Sequence, residues 1–101
     1  MAKTIRASKG AKSLKLSGDL RISGAAAAYR LLCQAAEGAE RHLALDAHQV
    51  EKVDAAGLQA ILAGRQALQR AGKSVTWTRC SVQLTAAAEL LGLAEALELP
   101  K

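Results

Sequence analysis

Phenylalanine is absent from this 101-residue chain, and there is only one Trp, one Tyr, one Pro and two Cys. So few aromatics leave no stacking platform of the kind that single-stranded nucleic-acid binding uses. Cys33 and Cys80 are too few for the disulfide framework of a small secreted domain, and both are read as reduced structural thiols. No uncharged run approaches the roughly 20 apolar residues of a membrane-spanning helix. The N-terminal segment also lacks the apolar core of a secretory signal, so a cytoplasmic location without membrane insertion is expected. The eight Gly stand singly, without a phosphate-cradling loop. His-x-x-x-His and Cys-x-x-Cys spacings are missing as well, and no nucleophile accompanies the carboxylates. No metal, no cofactor and no catalysis are therefore expected.

Charge is unevenly spread along the chain. Lys3, Arg6, Lys9, Lys12 and Lys15 all precede the first acid, Asp19, and the remaining nine basic and nine acidic residues cancel, so the net charge of +5 belongs to the N-terminus. Without basic residues clustered on a helix or groove, a nucleic-acid partner is not expected. Residues 1–12 read instead as a basic strand and turn whose charges keep a sheet edge soluble.

What is present suits one compact core. The chain is 50% hydrophobic and 23% charged, and its length fits a single domain over residues 1–101. Its 23 Ala and 16 Leu imply thin helical layers with few bulky side chains. Trp77 and Tyr29 are expected in the core as fillers.

The pattern along the chain predicts strand, strand, helix, strand, helix, strand, helix. Lys3–Ala7 and Ser13–Leu16 alternate around a glycine turn, as antiparallel strands do. Ser17-Gly18-Asp19-Leu20 breaks that alternation. Ile22, Ala25, Tyr29, Leu32 and Ala36 then recur at helical spacing, with the helix ending near Gly38. His42–Leu45 reads as a short buried strand ended by Asp46, followed by a connection through Val50. Asp54 is placed to cap a second helix along Leu58, Ile61, Leu62, Arg65 and Leu68, stopped by Gly72. Lys73–Arg79 alternates with Val75 and Trp77 on one face. Ser81 caps a third helix, Gly92 ends it, and Leu93–Leu99 is a short apolar tail. Alternating helices and buried strands give an α/β fold, a small mixed β-sheet with helices packed on it.

The most specific segment is Leu45-Asp46 through Val53-Asp54-Ala55-Ala56-Gly57-Leu58. It resembles the STAS domain of bacterial anti-sigma-factor antagonists, in which a strand ending in Leu-Asp is followed by Asp-Ser-(small)-Gly-Leu at a helix start. Ser17-Gly18-Asp19-Leu20, Arg70-Ala71-Gly72-Lys73 and Leu90-Leu91-Gly92-Leu93 extend the resemblance over nearly the whole chain, in order. It implies a non-enzymatic protein-interaction module whose partner is an anti-sigma factor with serine-kinase activity. In that family the Ser after the Asp is phosphorylated and the phosphate ends binding. Here position 55 is Ala, as is position 56, so no hydroxyl is available at this turn. Arg21 also stands where members commonly carry an acid. The expectation is a constitutive docking surface built from Asp54, Ala55, Ala56, Gly57 and Leu58 with Asp19, Arg21 and His48. His48 is read as an exposed loop residue near that turn, and His42 as a strand-edge residue. Similar subunits also accompany lipid or anion transporters, which makes a permease or transport ATPase the alternative partner, and others accompany chemotaxis proteins. Ser23, Ser81 and Thr85 are the hydroxyls that could carry regulation elsewhere.

Overall fold

The computed structural model describes residues 12–100. Within them β1 (Lys12–Leu20), α1 (Ile22–Glu37), β2 (His42–Val53), α2 (Ala55–Arg70), β3 (Ser74–Cys80) and α3 (Val82–Leu90) follow one another. The sheet has the order β1-β2-β3, and both pairings are parallel. The fold is α/β, as the alternation implied. Among the described residues the sheet is wholly parallel rather than mixed. The antiparallel partner expected at Lys3–Ala7 lies outside those residues.

One sheet face holds the core. Leu14 and Leu16 of β1, Leu43, Leu45 and Ala47 of β2, and Trp77 of β3 join Leu32, Leu58, Ile61, Leu68 and Leu84 from the helices in a single cluster. Ser13, Lys15, Asp46 and Thr76 alternate onto the opposite face. Gly64 of α2 meets Leu32 of α1 so closely that a Cβ there would overlap the leucine side chain.

Two strands are longer than their patterns suggested. β1 continues through Ser17–Leu20, and β2 runs on past Asp46 to Val53. Register shifts explain why the alternation misleads: between Lys15/Ser17 and between Gly18/Asp19, β2 gains one residue on β1. Each bulge changes which face the next residue takes, so Ala47 and Val50, three apart, are both buried. Gly18 accommodates its place in the irregular stretch with φ 73, a left-handed conformation that costs glycine little.

The α1 phase is corrected as well. Its buried residues are Ala28, Leu32 and Ala35, whereas Ile22 is 78% and Tyr29 44% exposed. Tyr29 is therefore on the surface; Trp77, at 2% exposure, is the core filler expected. Its indole nitrogen donates to the Leu97 carbonyl at 2.8 Å, which draws the C-terminal tail into the core with Leu97 and Leu99 buried. Burial pushes the Cys80 thiol up to about 12, with the Asp46 charge adding to the effect, so it stays protonated and inert.

Arg65 reinforces the tail from α2. Its side chain is 2% exposed; Nη2 donates to Glu98 Oε2 at 2.6 Å, Nη1 lies 3.5 Å from the Ala96 carbonyl, and Nε has no partner. A buried guanidinium with an orphaned donor gains little over an apolar chain of equal length. Arg65→Met is thus expected to change stability by less than about 1 kcal/mol, and Arg65→Ala to cost about 2 kcal/mol through lost packing. Urea unfolding of both variants checks this; an Arg65→Met loss as large as that of Arg65→Ala would show that the charge matters more than the stem.

Candidate functional site

Parallel pairing brings the ends of β1 and β2 side by side, with Leu20 opposite Val53. Each strand passes into its helix through one residue, Arg21 before α1 and Asp54 before α2. The N-termini of both helices therefore emerge together at the carboxyl end of the sheet, where open α/β sheets generally place their binding sites.

Asp54 joins the two. One carboxylate oxygen accepts from the Gly57 amide at 2.9 Å, capping α2 as expected. The other accepts from the Ile22 amide of α1 at 3.1 Å. A single side chain thus satisfies an exposed donor in the first turn of each helix and sits where both helix dipoles favour negative charge. Arg21, the residue preceding α1, contributes no side-chain cap of its own. Its guanidinium turns back to Asp19, with Nη2 at 2.6 Å and Nε at 2.9 Å, while the Arg21 amide donates to the same carboxylate at 3.0 Å. The Arg21 side-chain hydrogen bonds, with its backbone hydrogen bond, hold the Asp19 carboxyl at about 2, and the pairing raises Arg21. Both groups stay charged at neutral pH.

Close contacts lock this edge. A Cβ on Gly24 would strike the Asp19 carbonyl oxygen, and one on Gly57 would strike that of Leu20. The two glycines let the first turns of α1 and α2 press against the last residues of β1.

Of the residues expected to form the docking surface, Asp19, Arg21, Asp54, Ala55 and Ala56 are brought together, with Ala55 exposed and Ala56 half-buried. Gly57 and Leu58 are corrected: both are buried, so they shape the edge from beneath and offer no side chain to a partner. Ile22 was missed. Its 78% exposure makes it the large apolar side chain at this edge, and only its place beside the Asp54 carboxylate reveals the role.

His48 is also corrected, for it lies within β2 rather than in a loop, six residues and roughly 20 Å of strand from Asp54. It belongs to a polar cluster on the sheet: His48 Nδ1 is 2.9 Å from one Asp46 carboxylate oxygen, and Arg79 Nη2 is 2.9 Å from the other. Burial, the largest influence on Asp46, opposes ionisation, but the hydrogen bonds from His48 and Arg79 outweigh it and bring the carboxyl to about 2 from the ordinary 3.8. A carboxyl whose folded value is depressed stabilises the fold above its unfolded value and loses that contribution as pH falls through the folded one. The stability gap between the wild type and Asp46→Asn is expected to be constant above about pH 5 and to shrink as pH falls toward 2; urea midpoints across that range check it, and a pH-independent gap contradicts the pairing. Asp46, within β2, and Asp54, just past its end, stand far apart and form no carboxylate pair. Among the described residues no group of three or more His, Cys, Asp or Glu is arranged to hold a metal ion. Ser81 accepts from the Leu84 amide as the α3 cap and is buried; Ser23 is exposed.

The fold is that of a small α/β module, and its family is shown by comparison with known proteins. The chain belongs to the STAS domain family: the family model described as "Mlab, STAS domain" matches residues 4–100. A sulfate transporter family protein from Wolinella succinogenes, known from its crystal structure, is similar in fold, with a TM-score of 0.71 and 20% identity over 92% of this chain and 75% of that one. No curated protein matches the sequence. Among the described residues no helix is long and apolar enough to cross a membrane.

Proposed function

We propose that this protein is a non-enzymatic docking subunit that binds a cytoplasmic protein partner through the paired N-termini of α1 and α2, without a phosphorylation switch at that edge. The observation that carries the reading is the Asp54 carboxylate, which bridges the Ile22 and Gly57 amides and so holds the two helix ends as one preformed surface. A surface already ordered in the free protein loses little conformational freedom on binding. Ala55, at the first residue of α2, presents a methyl group where the STAS resemblance implies a phosphorylatable Ser, so binding there is constitutive.

A permease or transport ATPase of a lipid transporter is the partner class we favour. The family description "Mlab" and the transporter title of the structural neighbour support it over an anti-sigma factor of the serine-kinase type, which remains the second reading through the Asp54–Leu58 motif. Affinity capture from the native cell with wild type and Ala55→Glu, read by mass spectrometry, tests both. An acidic residue at the first helical position suits the helix dipole, so the variant is expected to fold normally and to lose its partner through charge in the interface. A transport component lost from the variant supports the first reading, and a kinase-like partner the second. Equal retention by both forms contradicts the site.

A further inference from the structure

We propose that α3 and the C-terminal tail form a second docking surface, separate from the helix-end edge, that receives a basic amphipathic helix from a partner protein. Its first component is a stripe on α3. Leu84 and Ala88 face the core, yet Val82, Ala86 and Leu90 recur at four-residue spacing on the outside, with Val82 69% and Leu90 86% exposed. Such a helix is apolar on two sides, and only one is covered by its own fold.

The second component is a groove of about 590 Å³ between α3 and the tail, lined by Thr85, Glu89, Ala94, Glu95, Glu98 and Leu99. Thr85 and Glu89 form the row of α3 next to the apolar stripe, so stripe and groove are one continuous surface. The tail that makes the far wall is fixed by the Trp77 bond to the Leu97 carbonyl and by Arg65 on Glu98. The surface is thus already built in the free chain.

Charge selects the occupant. Residues 81–100 contain Glu89, Glu95 and Glu98 and no Lys, Arg or His, although the chain as a whole carries +5; Glu98 is paired with Arg65, so Glu89 and Glu95 set the sign of the surface. Apolar residues flanked by carboxylates complement a helix with leucine-like side chains along one face and Lys or Arg beside them. A second copy packed two-fold on this surface would set glutamates against glutamates, which opposes self-association. Anionic lipid headgroups are repelled by the same charges.

Titration of the full-length, 15N-labelled protein with a synthetic amphipathic peptide, leucines on one face and lysines on its flanks, tests the proposal. Amide shifts are expected to cluster in residues 82–99 and to weaken with added salt. A peptide of the same design with glutamates for the lysines is expected not to bind. Leu90→Glu combined with Glu95→Lys should weaken binding about tenfold or more. Both positions are exposed, so the variant's spectrum reports directly that its fold is intact. Ala55→Glu should bind the lysine peptide like wild type, separating this surface from the helix-end edge. Shifts centred outside 82–99, equal binding of the two peptides, unchanged affinity of the double variant, or wild-type self-association that the double variant abolishes would overturn it.

Discussion

Gly57→Ala is expected to destabilise the protein by about 3 kcal/mol, the upper end of what overpacking costs, and to disrupt the docking edge with it. The reason is local. A Cβ at position 57 would overlap the Leu20 carbonyl oxygen and press on the Leu20 carbonyl carbon, and these are backbone atoms that cannot rotate away as a side chain can. Relief requires the first turn of α2 to lift from β1. The Asp54 carboxylate would then have to give up either the Gly57 amide or the Ile22 amide, and an unsatisfied donor adds to the loss. Urea unfolding should show a lower midpoint with an unchanged slope. A loss under about 0.5 kcal/mol would mean that the edge is pliable and that the close contact does not hold it.

Trp77→Ala is expected to have the other large effect, about 3–5 kcal/mol, as for aromatic truncations in well-packed cores. Trp77 is 2% exposed beside Leu45 in a core with no other large aromatic, and alanine-rich neighbours have little bulk with which to fill the space. Trp77→Phe isolates the hydrogen bond. It keeps most of the volume but leaves the Leu97 carbonyl without its indole donor, a loss of about 1–2 kcal/mol. Hydrogen exchange should accelerate at Leu97 and Leu99, whose amides bond to Leu93 and Ala94 within the tail, before it accelerates in β2. Uniform acceleration through the sheet would contradict the view that the indole pins the tail in particular.

Local signals proved dependable where one residue decides local geometry. Asp54 and Ser81 cap α2 and α3 as their positions implied, and Gly72 and Gly92 take φ 79 and 70 just past those helices. Strand β3 follows its alternation. Where the pattern failed, a non-local cause had intervened. Ala25–Ala28 fit equally well on a buried or an exposed face, so the α1 phase rested on Ile22 and Tyr29, the two side chains that face outward. The length of β2 was hidden by bulges that exist only through pairing with β1. At the site, the Asp54 cap was legible but its second bond was not, since Ile22 lies 32 residues away and meets it only after β1 and β2 pair. Arg65 stood in the helical row with Leu58, Ile61 and Leu68, but its partners were not legible, because the carbonyl and carboxylate come from a tail that reads as a terminal apolar run.

The most direct measurement is site-specific photo-crosslinking in the native cell, with the photoreactive residue placed at Ala55 and, separately, at Gln69. Both positions are exposed on α2 and stand about 20 Å apart along it. If the helix-end edge is a constitutive docking surface, position 55 yields one discrete adduct under all growth conditions and position 69 does not. Absence of an adduct at 55, or the same adduct from both positions, would contradict it.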